Sequence, residues 1–376
     1  MNYDFYFLYY PETKKLLGIL ERNNIEARFV GGCVRDAILG IKSDDLDIAV
    51  QCDIKHVVSI LESGGVSCIP TGLKYGSITV LINEKKFELT TLRTDQECFG
   101  RGCTISESSS FEEDAKRRDF TVNALYVNMK GELFDYFNGI QDLEGKIVKF
   151  IGDPIERINE DYLRIFRYYR FCGALGDLSN RYCDVIKISA PNVSKVSIER
   201  IQKELFGILM SKHASSIMTF AVDSGIFNDI FTRINEWRKF GIDILDDLNN
   251  LEIKLYILFE YNDLMLKLHL TKIQKARIKE YRKYENESQM YCFYKKGLDF
   301  LREIQAILKF KYGIIDEKFE LPSGKLPTFP VQFGDLPCGF KNASKRIQDC
   351  ERWWINHDFT KNKKECLEYM LSSLIP

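Results

Sequence analysis

One segment limits the possible folds more than any other: Phe29–Val50, FVGGCVRDAILGIKSDDLDIAV. It reads as a strand running into Gly31–Gly32, a helix carrying Arg35, and a second strand carrying Asp45 and Asp47. Adjacent glycines let a backbone approach a phosphate closely, and the amides at a helix start attract anions. Residues i and i+2 of an extended strand share a face, so Asp45 and Asp47 are expected to project together. Two carboxylates that close are unfavourable unless a cation lies between them. Mg²⁺ suits such a pair, because it binds one or two carboxylates and completes its shell with substrate phosphates. An isolated DxD is most often a solvated turn; with GGxxRD ahead of it at this spacing, a metal and triphosphate site is the stronger expectation.

Periodicity divides the rest. Brief β-rich runs at Ala27–Val30, Leu46–Val50, Ile78–Ile82, Phe87–Leu92 and Val122–Asn128 alternate with helical runs at Glu12–Asn23 and Ile54–Glu62. From about Asp161 the spacing of apolar residues becomes helical, as in Tyr162–Cys172, Ser197–Ser211, Ile253–Leu268 and Leu298–Phe310. A stretch with Pro and Gly near Leu321–Pro330 reads as a linker before a last helical unit containing Trp353 and Trp354. The expected domains are a head over 1–150, a helical neck over 151–215, a helical body over 216–328 and a helical tail over 329–376.

Composition then excludes several classes. A chain of 376 residues with 45% hydrophobic and 28% charged residues has ample material for a core and is not a disordered chain. No apolar run reaches the ~18 residues of a membrane span, and the N-terminal stretch lacks the basic start and apolar run of a secretory signal, so a cytoplasmic protein is expected. Eleven cysteines without a CxxC pair read as reduced thiols, and four scattered histidines make no metal cluster. The 53 basic and 54 acidic residues nearly cancel, but unevenly: the first 150 residues hold 18 basic and 23 acidic side chains, the remainder 35 and 31. A mildly basic helical part remains compatible with RNA.

The Phe29–Val50 segment resembles the signature of the DNA polymerase β-type nucleotidyltransferases, in the form found in class II tRNA nucleotidyltransferases and poly(A) polymerases. Later segments follow in the family's order: Pro70–Arg93 (PTGLKYGSITVLINEKKFELTTLR), Arg117–Leu125 (RRDFTVNAL), Asp135–Leu143 (DYFNGIQDL), Glu160–Arg164 (EDYLR) and Ser197–Leu205 (SIERIQKEL). The likeness is close over about residues 25–210 and continues weakly to FPVQFGDL at Phe329–Leu336. It implies an α/β, polymerase β-like nucleotidyltransferase head followed by an all-α neck with a nucleobase-recognition motif, a body and a tRNA-binding tail. It further implies template-independent addition of C, C and A to a tRNA 3′ end from CTP and ATP. The alternatives are a CC-adding or A-adding partial enzyme, a poly(A) polymerase, or a non-catalytic RNA-binding protein.

On that resemblance Asp45 and Asp47 would be catalytic and hold Mg²⁺ ions that bridge the triphosphate and the RNA hydroxyl. Glu88 is either a third acidic group or a surface carboxylate. Gly32, Arg35 and Arg118 would meet phosphate oxygens, since guanidinium forms paired hydrogen bonds with oxyanions. On one helix Asp161, Arg164, Arg167 and Arg170 would form a ridge, with Asp161 and Arg164 reading a nucleobase edge. The competing reading is an ion-paired neck helix. The polar stretch Thr94–Lys116 has the length of the family's flexible loop, which favours full CCA addition, though Phe99 stands where the family has an acidic residue. Lys267–Lys283, with Lys267, Lys272, Lys275, Arg277, Lys279, Arg282 and Lys283, is either a helix following the phosphates of a tRNA acceptor arm or a solvated face.

Overall fold

The computed structural model describes residues 3–99, 102–107, 110–231, 244–259, 261–313, 319, 325–337, 340 and 342–372. They fall into two compact units, Met1–Phe231 and Thr232–Pro376.

The first unit is built on a seven-stranded mixed sheet in the order β3-β4-β5-β2-β1-β8-β9. The strands are β1 (Ala27–Val30), β2 (Leu46–Val50), β3 (Ser67–Gly72), β4 (Ser77–Ile82), β5 (Lys85–Thr91), β8 (Leu125–Val127) and β9 (Leu133–Asp135). Only β2 and β5 pair parallel, with Asp47 opposite Glu88; β1 pairs antiparallel with both β2 and β8. β2 is central, and Leu46, Ile48, Ala49 and Val50 are all buried. Burial of that many apolar side chains fixes the register, because a slip of one residue would turn Asp47 into the core. α1 (Pro11–Arg22) and α3 (Ile54–Ser63) precede and follow these strands, and α2 (Gly32–Ile38) joins β1 to β2. Asp53 caps α3 by accepting from the Lys55 and His56 amides.

Several elements of the head differ from the sequence expectation: β3 and β9 were not expected as strands, and the run at Val122–Asn128 forms a strand only over Leu125–Val127. The stretch read as a loop contains an antiparallel hairpin, β6 (Arg93–Phe99) and β7 (Gly102–Glu107), followed by α4 (Phe111–Lys116). The sequences RTDQECF and GCTISE have no regular alternation of apolar and polar residues, which is why hydrophobic periodicity did not reveal the hairpin. Gly100 and Arg101 lie outside the described residues.

Helices then take over: α5 (Gly139–Glu144), α6 (Pro154–Glu160), α7 (Leu163–Leu175), α8 (Cys183–Ser189), α9 (Ile198–Leu209) and α10 (Ala214–Asp223). α6 and α7 are not continuous. Asp161 lies between them in extended backbone, φ −153° and ψ 105°, so it is not on the helix with Arg164, Arg167 and Arg170. α7 packs on α9, burying Leu163, Ile165, Phe166, Tyr168, Tyr169 and Phe171. Gly207 of α9 leaves room for Arg170, whose Cδ would collide with a Cβ at that position.

The second unit is helical: α11 (Ile244–Asp247), α12 (Leu251–Leu258), α13 (Tyr261–Leu266), α14 (Lys272–Tyr284), α15 (Gln289–Lys296), α16 (Leu298–Tyr312), α17 (Ala343–Ile355) and α18 (Lys363–Ser372). The single helix expected over 253–268 is therefore two, α12 and α13. The helix expected from Lys267 begins at Lys272, where Thr271 and Gln274 form a reciprocal capping box. Trp353 and Trp354 pack within the tail: Trp353 stacks on Tyr369 at 4.5 Å, and buried Trp354 donates its indole N–H to the Lys361 carbonyl at 2.9 Å.

Candidate active site

The acidic centre follows from strand geometry. Asp45 stands just before β2 and Asp47 within it, while Lys86 and Glu88 alternate along the adjacent β5, and all four line one shallow cleft with Leu46. Glu88 is thereby the third carboxylate of this face rather than an unrelated surface residue. Burial and the nearby Glu88 carboxylate push the Asp47 carboxyl up to about 6, with Asp45 adding to the effect and Arg118 and Lys86 opposing it. Three acids facing one lysine leave an excess of negative charge, the electrostatic setting that a divalent cation relieves. Among the described residues no three His, Cys, Asp or Glu side chains form a ready-made metal cage. A pair of carboxylates that relies on substrate oxygens to complete the shell is the arrangement Mg²⁺ favours.

A second group of residues is assembled around the β1–α2 turn. Gly31 has φ 76° and ψ −125°, a conformation that side chains disfavour, and a Cβ there would stand 3.4 Å from Arg118 Nη1. Arg35, one turn into α2, donates Nη1 to Asn123 Oδ1 at 2.5 Å and its Nε and Nη2 to Asp36. Its guanidinium also lies 5.0 Å from the Phe171 ring centroid. Arg118 follows α4 and is gripped from behind by Asp114 and Tyr126. Burial opposes the Arg118 charge, yet Tyr126 and Asp114 outweigh it and raise the pKa above the ordinary arginine value.

A polar chain runs from this turn into the neck. Asn123, which binds Arg35, donates Nδ2 to buried Asp119 at 3.1 Å, and Asp119 accepts from Arg167 Nε at 2.6 Å. Burial pushes the Asp119 carboxyl up, but Arg167, Asn123 and the Phe120 amide overcome it and hold the group below the usual range. Arg167 also stands 3.8 Å from Glu204, which pairs closely with Arg170. Arg167 and Arg170 are thus ion-paired neck residues in this structure, as the competing sequence reading expected.

Asp161 and Arg164 do not bind each other through their side chains. Asp161 accepts from Arg200 of α9 at 2.6 and 3.3 Å, and its carbonyl accepts the Arg164 amide at 3.0 Å. The Arg164 guanidinium instead donates to Glu160 at 2.5 Å and to the Arg157 carbonyl at 2.6 Å. Arg157 reaches back to the Arg117 and Arg118 carbonyls, tying the neck to the segment that carries Arg118. Sequence reasoning missed Arg200, Arg157, Asn123, Asp119 and Asp114 as members of this site. The Arg in SIERI and the Asp and Asn in RRDFTVN were visible, but their partners lie 39 to 88 residues away.

A mixed sheet carrying paired carboxylates beside a diglycine turn and convergent arginines defines a nucleotidyltransferase head. The comparisons agree. The model described as "Poly A polymerase head domain" matches residues 27–149, and the one described as "Probable RNA and SrmB- binding site of polymerase A" matches residues 177–237. Mitochondrial CCA tRNA nucleotidyltransferase 1 of Mus musculus is 30% identical over 401 residues, covering 98% of this chain and 91% of that protein. The CCA-adding enzyme of Streptococcus suis (strain 05ZYH33) is 37% identical over 223 residues, 58% of this chain and 54% of that protein. In fold, the chain matches the Bacillus stearothermophilus CCA-adding enzyme in complex with CTP (TM-score 0.71, 22% identity, 97% and 98% of the two chains). It also matches the Thermotoga maritima CCA-adding enzyme complexed with tRNA (TM-score 0.62, 19% identity, 96% and 94%). The chain belongs to the family of CCA-adding tRNA nucleotidyltransferases, whose members are generally dependent on divalent metal.

Proposed function

We propose that this protein completes the 3′ end of tRNA, adding C, C and A from CTP and ATP without a nucleic-acid template, with Asp45 and Asp47 holding Mg²⁺. The observation that carries the residue assignment is the shared face of Asp45, Asp47 and Glu88, with Arg118 close enough to Asp47 to lower its pKa. Bound there, the cation supplies charge neutralisation for the triphosphate and acidifies the RNA hydroxyl that attacks the α-phosphate.

The chain's own groups do the positioning. Gly31 and Gly32 let the triphosphate approach the backbone, and Arg118 beside Gly31 and Arg35 beside Gly32 offer it guanidinium donors. Asp161 accepts hydrogen bonds and Arg164 donates them, so together they match the Watson–Crick edge of cytosine or adenine. A base with the wrong donor pattern leaves one of these polar groups unpaired, a penalty of about 1–3 kcal/mol. Arg167 and Arg170 hold the reading helix against Asp119 and Glu204. In the second unit Lys272, Lys279, Arg282 and Lys283 lie exposed on α14 and offer a basic helix to tRNA phosphates. Cys33, Cys52, Cys68, Cys172, Cys183, Cys292, Cys350 and Cys366 are thiols rather than disulfides, which suits a reducing compartment. The cytoplasm is the compartment we propose, and cell fractionation with a mitochondrial marker decides it.

The test is a gel. Purified protein and Mg²⁺ are incubated with tRNA lacking its last three nucleotides. CTP alone should extend it by two nucleotides, CTP with ATP by three, and ATP alone not at all. Arrest at two with both nucleotides would mean a CC-adding enzyme. A long ladder with ATP alone would mean a poly(A) polymerase; no extension here but addition of one A to tRNA ending in CC would mean an A-adding enzyme, and no extension of either substrate a non-catalytic RNA-binding protein.

A further inference from the structure

The described residues around Arg118 form a closed ring of hydrogen bonds that the assigned chemistry does not use. Asp114 of α4 is 1% exposed. Its Oδ1 accepts from Arg117 Nε and Nη2 at 2.8 and 2.6 Å. Its Oδ2 accepts from Arg118 Nη2 at 3.0 Å and from the Tyr126 hydroxyl at 2.7 Å. That same hydroxyl accepts from Arg118 Nε at 2.9 Å. Tyr126 therefore closes a triangle, taking a hydrogen bond from the guanidinium and passing one to the carboxylate. The phenol is fully buried, its ring edge-on to Phe111 at 5.8 Å and to Tyr136 at 6.0 Å.

This ring occupies one edge of the Arg118 guanidinium, Nε and Nη2. The remaining nitrogen, Nη1, is the one that stands beside Gly31. An arginine held at two of its three nitrogens loses little rotamer freedom when the third binds an oxyanion, and most of the ordering is already done. A free arginine on the same turn would have to order its whole side chain on each nucleotide addition.

We infer that Tyr126 and Asp114 are positioning residues for nucleotide binding, fixing Arg118 so that Nη1 faces the triphosphate. The inference rests on the assignment of Arg118 to the phosphates. Tyr126 acts through its hydroxyl alone, and the aromatic ring serves packing.

Tyr126→Phe removes the hydroxyl and keeps the ring, so it isolates the effect. Single-turnover addition of CTP to tRNA lacking its last three nucleotides is measured for wild type, Y126F, R118A and the double variant. Expected is a rise in the apparent Kd for CTP of about tenfold in Y126F, the scale of a lost hydrogen bond to a charged group, with the rate at saturating CTP changed much less. In the R118A background Y126F should have no further effect. An equal penalty in both backgrounds, or a fall in the saturated rate with unchanged CTP affinity, would overturn the inference. If R118A itself leaves CTP affinity unchanged, it is the assignment of Arg118 to phosphate that fails. Thermal melting of each variant separates loss of the fold from loss of the anchor.

Discussion

Asp47 carries the clearest electrostatic signature of the described residues. Its carboxyl is raised to about 6 by burial and by Glu88, so the metal-free native state binds a proton more tightly than the unfolded chain does. The resulting stability is fully present below the ordinary aspartate value and is lost as pH rises through about 6. Asp47→Asn should therefore stabilise the metal-free protein at pH 8, by roughly 1–3 kcal/mol from the two-unit shift, and the gain in Tm should shrink as the pH is lowered towards 4. Mg²⁺ should raise the Tm of the wild type and leave that of D47N unmoved, while D47N loses transfer activity. A D47N protein that melts at or below the wild-type temperature at pH 8 would contradict the electrostatic reading. The pairing of Asp45 and Asp47 was legible from the i, i+2 rule alone. The role of Glu88 was not, because a strand's own sequence does not state which neighbour it pairs with; the parallel register of β2 and β5 decided it.

At the scale of elements, the break between α6 and α7 matters most. Spacing by threes placed Asp161 on the same helical ridge as Arg164, Arg167 and Arg170, and periodicity carried no sign of an interruption there. The structure places Asp161 outside the helix, where Arg200 of α9 takes both its oxygens. Long-range ion pairs of this kind are invisible to local patterns, since 39 residues separate the partners. The consequence is testable. Arg200→Ala frees the Asp161 carboxylate to rotate, so discrimination of CTP and ATP against UTP, read as ratios of kcat/KM, should fall by about tenfold while tRNA binding holds. Unchanged ratios would remove Arg200 from the base-reading site. The β6–β7 hairpin is the counterpart on the head: its existence depends on cross-strand pairing between polar residues, and sequence spacing showed only the length of the segment.

For the molecule as a whole, the near-cancellation of charge conceals a division of labour between an acidic head and a mildly basic helical portion. On α14 Arg277 is already engaged, pairing with Glu303 and Glu280. That leaves a small outward set, so the footprint on phosphate should be limited. A plot of log affinity for tRNA against log salt should have a shallow slope, and Lys272→Glu with Lys279→Glu should reduce it by about two without altering CTP affinity. A steep slope that survives the double substitution would place the RNA elsewhere. The general order of sheet, then helices, was legible from the change of period; the subdivision of the helical part was not, because short helices separated by turns leave nearly the same apolar spacing as one long helix. The ion pairs at Asp161 and Arg164 also have a meaning beyond chemistry. On the proposed reading, the last three letters of a tRNA would be stored as the donor and acceptor pattern of a few side chains. A substitution at Arg200 or Arg164 would then act as an edit to the text added to each tRNA this protein completes.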